Sequence, residues 1–276
     1  MTSPQQQPSP TPTFSPGKAV VTASDSGIGK ATAVALAKAG MDVAITWHSD
    51  SAGAEATAEE VRQHGRTAVV AQLDTTDLEG CGEVVDSLIE QLGGCDVFVN
   101  NAGMGINAPF VEMTLEDWRT TMATDLDGAF VVMQRAARKM VQQGSGGRIV
   151  AVTSVHEHQP RVGSSAYDAA KHGLGGLVKT MALELGRQGI TVNAVAPGEI
   201  ATPMTGQTDE DPHQTDRPGV PLGRPGHAYE IADVIAFLAS PQASYVTGAS
   251  WVVDGGMLQM GPQAGSHLES DEWRKG

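Results

Sequence analysis

The chain has 276 residues, 40% of them hydrophobic, and a formal net charge of −14. That apolar content suffices for a packed core and excludes a wholly disordered chain, while the acidic balance argues against nucleic-acid or anionic-membrane partners, which need clustered Lys and Arg. No stretch reaches the roughly 18 apolar residues of a membrane span, and Cys81 and Cys95 offer neither a disulfide framework nor a zinc spacing, so a cytoplasmic protein with semi-buried thiols is expected.

Residues 1–16 hold five prolines among Gln, Ser and Thr, with no basic or apolar segment of a signal peptide, and read as a disordered leader. A buried strand over 18–22 (KAVVT) is followed by a helix over 28–39 that Gly40 ends. Strand and helix then alternate: strand 42–46, helix 51–64, strand 67–73, a glycine-weakened helix 78–92, strand 96–100. Thr114 is placed to cap one long helix running to about Gln143. Strand 148–154, helix 165–187, strand 191–197, helix 229–240 and strand 250–256 complete the series. Short, continuously apolar, β-branched strands separated by helices predict a mostly parallel sheet of about seven strands covered on both faces. One α/β domain is expected over 17–257. Residues 203–226 are rich in Pro, Gly and acid, and read as a substrate loop or lid. The polar tail over 258–276 is expected to fray or pack on a neighbour.

The segment TASDSGIG, Thr22 to Gly29, lies between the first strand and the first helix. A turn in that context is a place for a pyrophosphate: glycines let the backbone approach, and the first N–H groups of the helix point at the anion. Ser24, Ser26, Gly27, Ile28 and Gly29 are therefore the expected cofactor contacts in a Rossmann-type, doubly wound sheet. An acid about 20 residues on would bind a ribose 2′-OH and mark NAD. The second strand instead runs into Trp47, His48 and Ser49, with Asp50 beyond its expected end. His48 is able to pair with a 2′-phosphate and nothing at that strand end repels one, so NADP(H) is favoured over NAD(H), although no arginine clamp is present.

Tyr167 and Lys171 are four residues apart on one predicted helix and so share a face, about 6 Å apart along its axis. A phenol of pKa about 10 is a poor acid–base group near neutrality. A neighbouring ammonium and an oxidised nicotinamide ring both favour the phenolate and fit it to proton transfer. Lys171 also reaches ribose hydroxyls. Ser154 ends a parallel strand, where open α/β sheets place ligands, and its hydroxyl suits a carbonyl oxygen.

These residues together resemble the short-chain dehydrogenase/reductase family, of the short single-domain type, over residues 18–257. The family's TGxxxGxG turn is matched by TASDSGIG, its NNAG by Asn100-Asn101-Ala102-Gly103, its serine and YxxxK by Ser154, Tyr167 and Lys171, and its PG motif by Pro197-Gly198. The resemblance implies nicotinamide contacts at Ile200 and Thr202, adenine contacts near Asp74 and Thr75, a cofactor of the NAD(P) type and a homotetramer. It also implies a small carbonyl or secondary-alcohol substrate, with Ser154, Tyr167 and Lys171 catalytic, and a pocket closed by 203–226 over Met104, Gly105 and Ile106. Two positions depart from the pattern. Ala23 replaces the turn's first glycine, which a negative φ would accommodate. Asp125 replaces an asparagine that in the family holds a relay water behind the lysine; a backbone carbonyl there would let aspartate serve, and Asp125 is kept among the catalytic residues.

His156-Glu157-His158 follows Ser154. Lacking a third ligand at a defined spacing it is not taken as a metal site; His156 or Glu157 is expected to line the substrate pocket, and His172 to be structural. Two other readings compete with the oxidoreductase. A catalytically weak, redox-sensing dinucleotide-binding module of the same fold is one. The other, a nucleotide-sugar epimerase, needs a longer C-terminal region than this chain has.

Overall fold

A computed structural model of the chain describes residues 14–207, 211–263 and Ser270. Most of the expected leader (1–13) and of the tail (264–269 and 271–276) lies outside the described residues. The strands are β1 (Lys18–Val21), β2 (Asp42–Trp47), β3 (Ala68–Gln72), β4 (Val97–Asn100), β5 (Gly147–Val152), β6 (Ile190–Pro197), β7 (Ile200–Ala201), β8 (Gly226–His227) and β9 (Ser250–Val253). The α-helices are α1 (Gly27–Lys38), α2 (Ser51–Gln63), α3 (Gly80–Leu92), α4 (Leu115–Met122), α5 (Gly128–Gln143), α6 (Ser165–Leu185) and α7 (Ala228–Ala239). None is long and apolar enough to cross a membrane.

Seven strands form one sheet in the order β3-β2-β1-β4-β5-β6-β9, with every pairing parallel. Successive side chains of a strand face opposite sides, and the sequence fills both. Val20, Ala44, Phe98, Ile149 and Ala194 pack with Leu88, Met133, Met140 and Leu174 of α3, α5 and α6. Val21, Val43, Ile45, Val99 and Val150 pack with Leu36, Val61, Ile231 and Leu238 of α1, α2 and α7. Each large side chain so buried contributes about 1.5–3 kcal/mol. That is why the strands read as unbroken apolar runs rather than alternating ones. Both cysteines are fully inside these layers.

The chain lays β1, β2 and β3 outward in one direction and then returns to place β4 against the other side of β1. The loops leaving β1 and β4 therefore diverge at their C-terminal ends and open a crevice, the usual ligand position in such sheets.

Three local features differ from the sequence reading. The long helix expected from Thr114 to Gln143 is capped as anticipated, Thr114 Oγ1 accepting from Asp117 N at 3.0 Å. It is then interrupted by a π-helical turn, Ala123–Asp127. The wider turn resets the register so that Gly128 meets Thr75, where a Cβ would lie 2.3 Å from the Thr75 carbonyl oxygen. Strand β5 stops at Val152, because Ser154 turns to cap a 3₁₀ turn over Val155–Glu157. Residues 203–226 contain two 3₁₀ turns, Pro203–Thr205 and Pro212–Gln214, and the short parallel pairing of β7 with β8 ties the segment's two ends together.

That tie is reinforced from α7. Arg224 donates both guanidinium nitrogens to the two Glu230 oxygens at 2.8 Å, and the same carboxylate accepts from His227 N at 2.8 Å, capping the helix. The guanidinium holds the Glu230 carboxyl down from 4.5 to about 2. A carboxyl lowered on folding stabilises above its unfolded value and loses that contribution as pH falls through the folded one. Glu230→Gln should therefore cost about 1–2 kcal/mol at neutral pH, with the gap to the parent closing as pH drops from 4.5 toward about 2. Urea unfolding at stepped pH measures it; a pH-independent gap would contradict the pairing.

Candidate active site

A cavity of about 940 Å³ occupies the crevice and runs from the first turn to the start of α6. Its walls include Ser26, Gly27, Ile28, His48, Ser49, Asn101 and Gly103 from the sequence-expected cofactor set. Ser154, His156, Tyr167, Lys171, Pro197, Gly198, Ile200 and Thr202 line it as well. The structure thus brings together residues drawn from six loops and helices.

The turn itself is held by the two strands that diverge there. Thr22 Oγ1 accepts from both Asn101 N and Ala102 N at 2.9 Å, and the Ala23 carbonyl accepts from Asn101 Nδ2 at 2.9 Å. To present that carbonyl Ala23 adopts φ +47°, so the expectation of a negative φ at this alanine is corrected. Gly27 opens α1 at φ +53°, and Gly29 lies so close beneath the turn that a Cβ would sit 2.1 Å from the Ala23 oxygen. Ser26, the N-cap residue of α1, uses no side-chain hydrogen bond to cap it. The first N–H groups of an α-helix have no intrahelical partner, so this cradle suits a phosphate. Chemistry and space both fit a dinucleotide.

Not every expected contact reaches the cavity. Ser24 is fully buried, donating to Val21 O and accepting from Thr46 N, and braces β1 against β2. Gly29 packs behind the turn. Asn100, Ala102 and Thr75 are sealed inside. Asp74 stands beside the far end, its Oδ2 3.8 Å from His48 Nε2 and its Oδ1 accepting from Thr76 N. Of the two residues offered for the pocket wall, His156 lines the cavity, whereas the Glu157 carboxylate faces inward, accepting from Thr153 Oγ1 at 2.7 Å and Ser250 Oγ at 2.9 Å. His158 turns to Ser250 at 3.1 Å.

At the other end α6 carries Tyr167 and Lys171 one turn apart, with Lys171 Nζ 5.2 Å from the Tyr167 ring centroid. Gly105 faces the ring, where a Cβ would sit 3.6 Å from Tyr167 Cδ2. Ser154 Oγ accepts from His156 N at 3.2 Å, and the His156 ring stands edge-on to Tyr167 at 6.2 Å between centroids. Behind them, Lys171 Nζ lies 3.1 Å from Asp125 Oδ2, in a pair that is almost wholly buried. Asp125 Oδ1 accepts from Met104 N at 2.7 Å. The carboxylate itself, rather than a backbone carbonyl, thus meets the lysine. Burial alone would push the ammonium down; the Asp125 carboxylate, with Tyr167 beside it, outweighs that and raises it. Lys171 is therefore a fixed cation.

The segment expected to cover the pocket contributes Pro203, Met204, Thr205, Gln207 and 216–220 to the walls, opposite Gly105 and Asn107. Met104 and Ile106 are not among the lining residues. Glu199 was not singled out from sequence, yet one of its oxygens accepts from Arg217 Nε at 2.7 Å and Gln207 Nε2 at 2.8 Å. Asp25 was missed too; it stands at a variable position of the turn motif and lines the cavity beside His48.

A family model described as enoyl-(acyl carrier protein) reductase matches residues 22–258. The chain is 53% identical to the uncharacterized oxidoreductase YohF of Escherichia coli (strain K12) over 245 residues, 89% of this chain and 97% of that protein. Among solved structures it is similar to acetoin dehydrogenase YohF from Salmonella typhimurium, with a TM-score of 0.86 and 51% identity over 90% of this chain and 98% of the other. Acetoin dehydrogenase from Enterobacter cloacae gives a TM-score of 0.85 and 52% identity over the same shares.

Substitutions at two positions test the geometry. Ala23→Gly should raise stability by about 0.5–1 kcal/mol, because the left-handed penalty exceeds glycine's added entropy in the unfolded chain; a loss of stability on denaturant unfolding would contradict the positive φ. Asp125→Ala strands a buried ammonium and should cost about 3–5 kcal/mol, whereas Asp125→Asn keeps an acceptor for Met104 N and should cost less. Equal stability of Asp125→Ala and the parent would deny the pair.

Proposed function

The chain belongs to the short-chain dehydrogenase/reductase family, and from that premise we propose that Tyr167, Ser154 and Lys171 carry out its oxidoreductase chemistry on a small vicinal hydroxyketone or diketone. The observation that carries this reading is the convergence of those three side chains on one end of a cavity whose middle is a phosphate-suited turn. Substrate class is supported by the two similar structures named as acetoin dehydrogenases. Small, polar walls around the reacting end, including Gly105, Asn107 and His156, suit such a compact substrate.

When bound, a nicotinamide dinucleotide supplies the hydride for carbonyl reduction, or accepts it in the oxidative direction. The chain's own residues manage the oxygen. Ser154 Oγ donates to the carbonyl oxygen and fixes its orientation. Tyr167 Oη donates the proton that this oxygen needs as the carbonyl carbon is reduced, and takes it back in oxidation. Lys171 keeps positive charge next to the phenol while it gives up its proton, and its ammonium also suits the ribose hydroxyls. Asp125 is a positioning residue: it aims Lys171 and, through Met104 N, holds the backbone of the facing loop. Gly27, Ile28 and Ser26 would hold the pyrophosphate, and Ile200 and Thr202 would serve the nicotinamide amide.

We further read the enzyme as cytoplasmic and homotetrameric. Exposed Phe130 and Leu78 border an apolar hollow with Leu126, Val131 and Leu177, and among the described residues β9 ends the sheet beside exposed Val252; both are surfaces that self-association would cover.

The test is reduced-nicotinamide consumption against diacetyl, acetoin, ketoacyl esters and cyclic ketones. The parent should turn over the diketone and hydroxyketone. Tyr167→Phe should lose on the order of 10²–10⁴ in rate while still showing a cofactor-dependent thermal shift. Undiminished turnover by Tyr167→Phe would remove the proton-transfer assignment, and silence of the parent across the panel would remove the substrate class.

A further inference from the structure

We infer that Asp25 is the residue by which this enzyme selects NAD(H) and rejects NADP(H). This deepens the proposal above and rests on its reading of the cavity as a dinucleotide site.

The argument begins with the layout. A dinucleotide whose nicotinamide lies at Tyr167 and whose pyrophosphate lies on the start of α1 directs its adenosine ribose toward the C-terminal end of β2. The cavity wall at that end consists of Asp25, Ser26, His48 and Ser49. Two further carboxylates, Asp50 and Asp74, stand behind that wall without lining the cavity. The Asp25 backbone oxygen and the Asp50 carboxylate both press on Gly53, where a Cβ would lie 2.8 Å from the first and 2.4 Å from the second. Asp74 sits 3.8 Å from the His48 ring.

The positive charge available to offset these acids is small. No Lys or Arg is among the residues lining this end; Lys171, Arg161 and Arg217 belong to the reacting end and the covering segment. Lys30, on α1, is paired with Glu60 at 2.8 Å. His48 is 69% exposed and already beside a carboxylate. Burial raises the Asp25 carboxyl, Asp50 raises it further, and its own backbone contact and His48 only partly offset them. The site is thus crowded with negative charge before any ligand arrives.

A ribose with free 2′- and 3′-hydroxyls offers donors to the Asp25 carboxylate, in charge-assisted hydrogen bonds. A 2′-phosphate offers roughly two negative charges and acceptors only. The same side chain therefore attracts one cofactor and repels the other, so discrimination has both an attractive and a repulsive part. It differs from the arrangement in which an acid ending the second strand reads the ribose, because here Trp47 and His48 occupy that strand end and the acid comes from the glycine turn.

Binding is measured directly, without substrate, by titrating the purified protein with NADH and with NADPH and following nicotinamide fluorescence or heat. The parent should bind NADH at least roughly tenfold to a hundredfold more tightly than NADPH. Asp25→Asn removes the charge but keeps a neutral acceptor, and should tighten NADPH while weakening NADH a few-fold. Asp25→Ser should tighten NADPH and weaken NADH. Equal affinities in the parent, or a ratio that neither variant moves, would overturn the assignment to Asp25 while leaving a dinucleotide enzyme. Failure of both dinucleotides to bind the folded parent would overturn the site reading and this inference with it.

Discussion

One amide and one carbonyl carry the geometry of the cavity. Asn101 Nδ2 reaches the Ala23 oxygen across the gap between the loops leaving β1 and β4, and Thr22 closes the same gap with its hydroxyl. Those bonds form at the point where the order of strands reverses, and they set how far the crevice opens. They also require Ala23 to turn left-handed, a backbone state that an L-residue enters at a cost. The strain is retained because the carbonyl has a partner only in that orientation. Gly29 is the corollary: with the carbonyl turned down onto α1, only a residue without a side chain fits beneath it.

The buried pair at the opposite end obeys a different economy. An ammonium deprived of water is unfavourable alone, and a carboxylate at 3.1 Å restores it without leaving either group mobile. Because the second Asp125 oxygen holds Met104 N, the pair joins α6, the π turn and the loop after β4. Gly103 shares this crowding: a Cβ there would stand 2.9 Å from the lysine nitrogen. The charge beside Tyr167 is thereby fixed in place by three elements distant in sequence.

Much of this is legible in the amino-acid sequence itself. Apolar runs fixed both the strands and their burial on two faces, and the four-residue spacing of Tyr167 and Lys171 gave their common face. Thr114 was rightly read as a cap because capping is local chemistry. What escaped were consequences of contacts distant in sequence. The π turn sets Gly128 against Thr75, far back in the chain, and nothing in ATDLD announces it. Ser24 looks identical to Ser26 as a turn serine, and only the proximity of Thr46 turns it into a brace. Glu157 reads as a pocket acid until Thr153, Ser250 and Gly175 surround it. Ala23 was misjudged because its φ is dictated by Asn101, nearly eighty residues away.

Glu199 gathers the covering segment at the cavity wall. A single oxygen of that carboxylate receives Gln207 from one flank of the covering segment and Arg217 from the other. Both flanks are thus fastened to one carboxylate at the wall of the cavity, through a half-buried ion pair on one side and a neutral amide on the other, so added salt weakens only the first of the two fastenings.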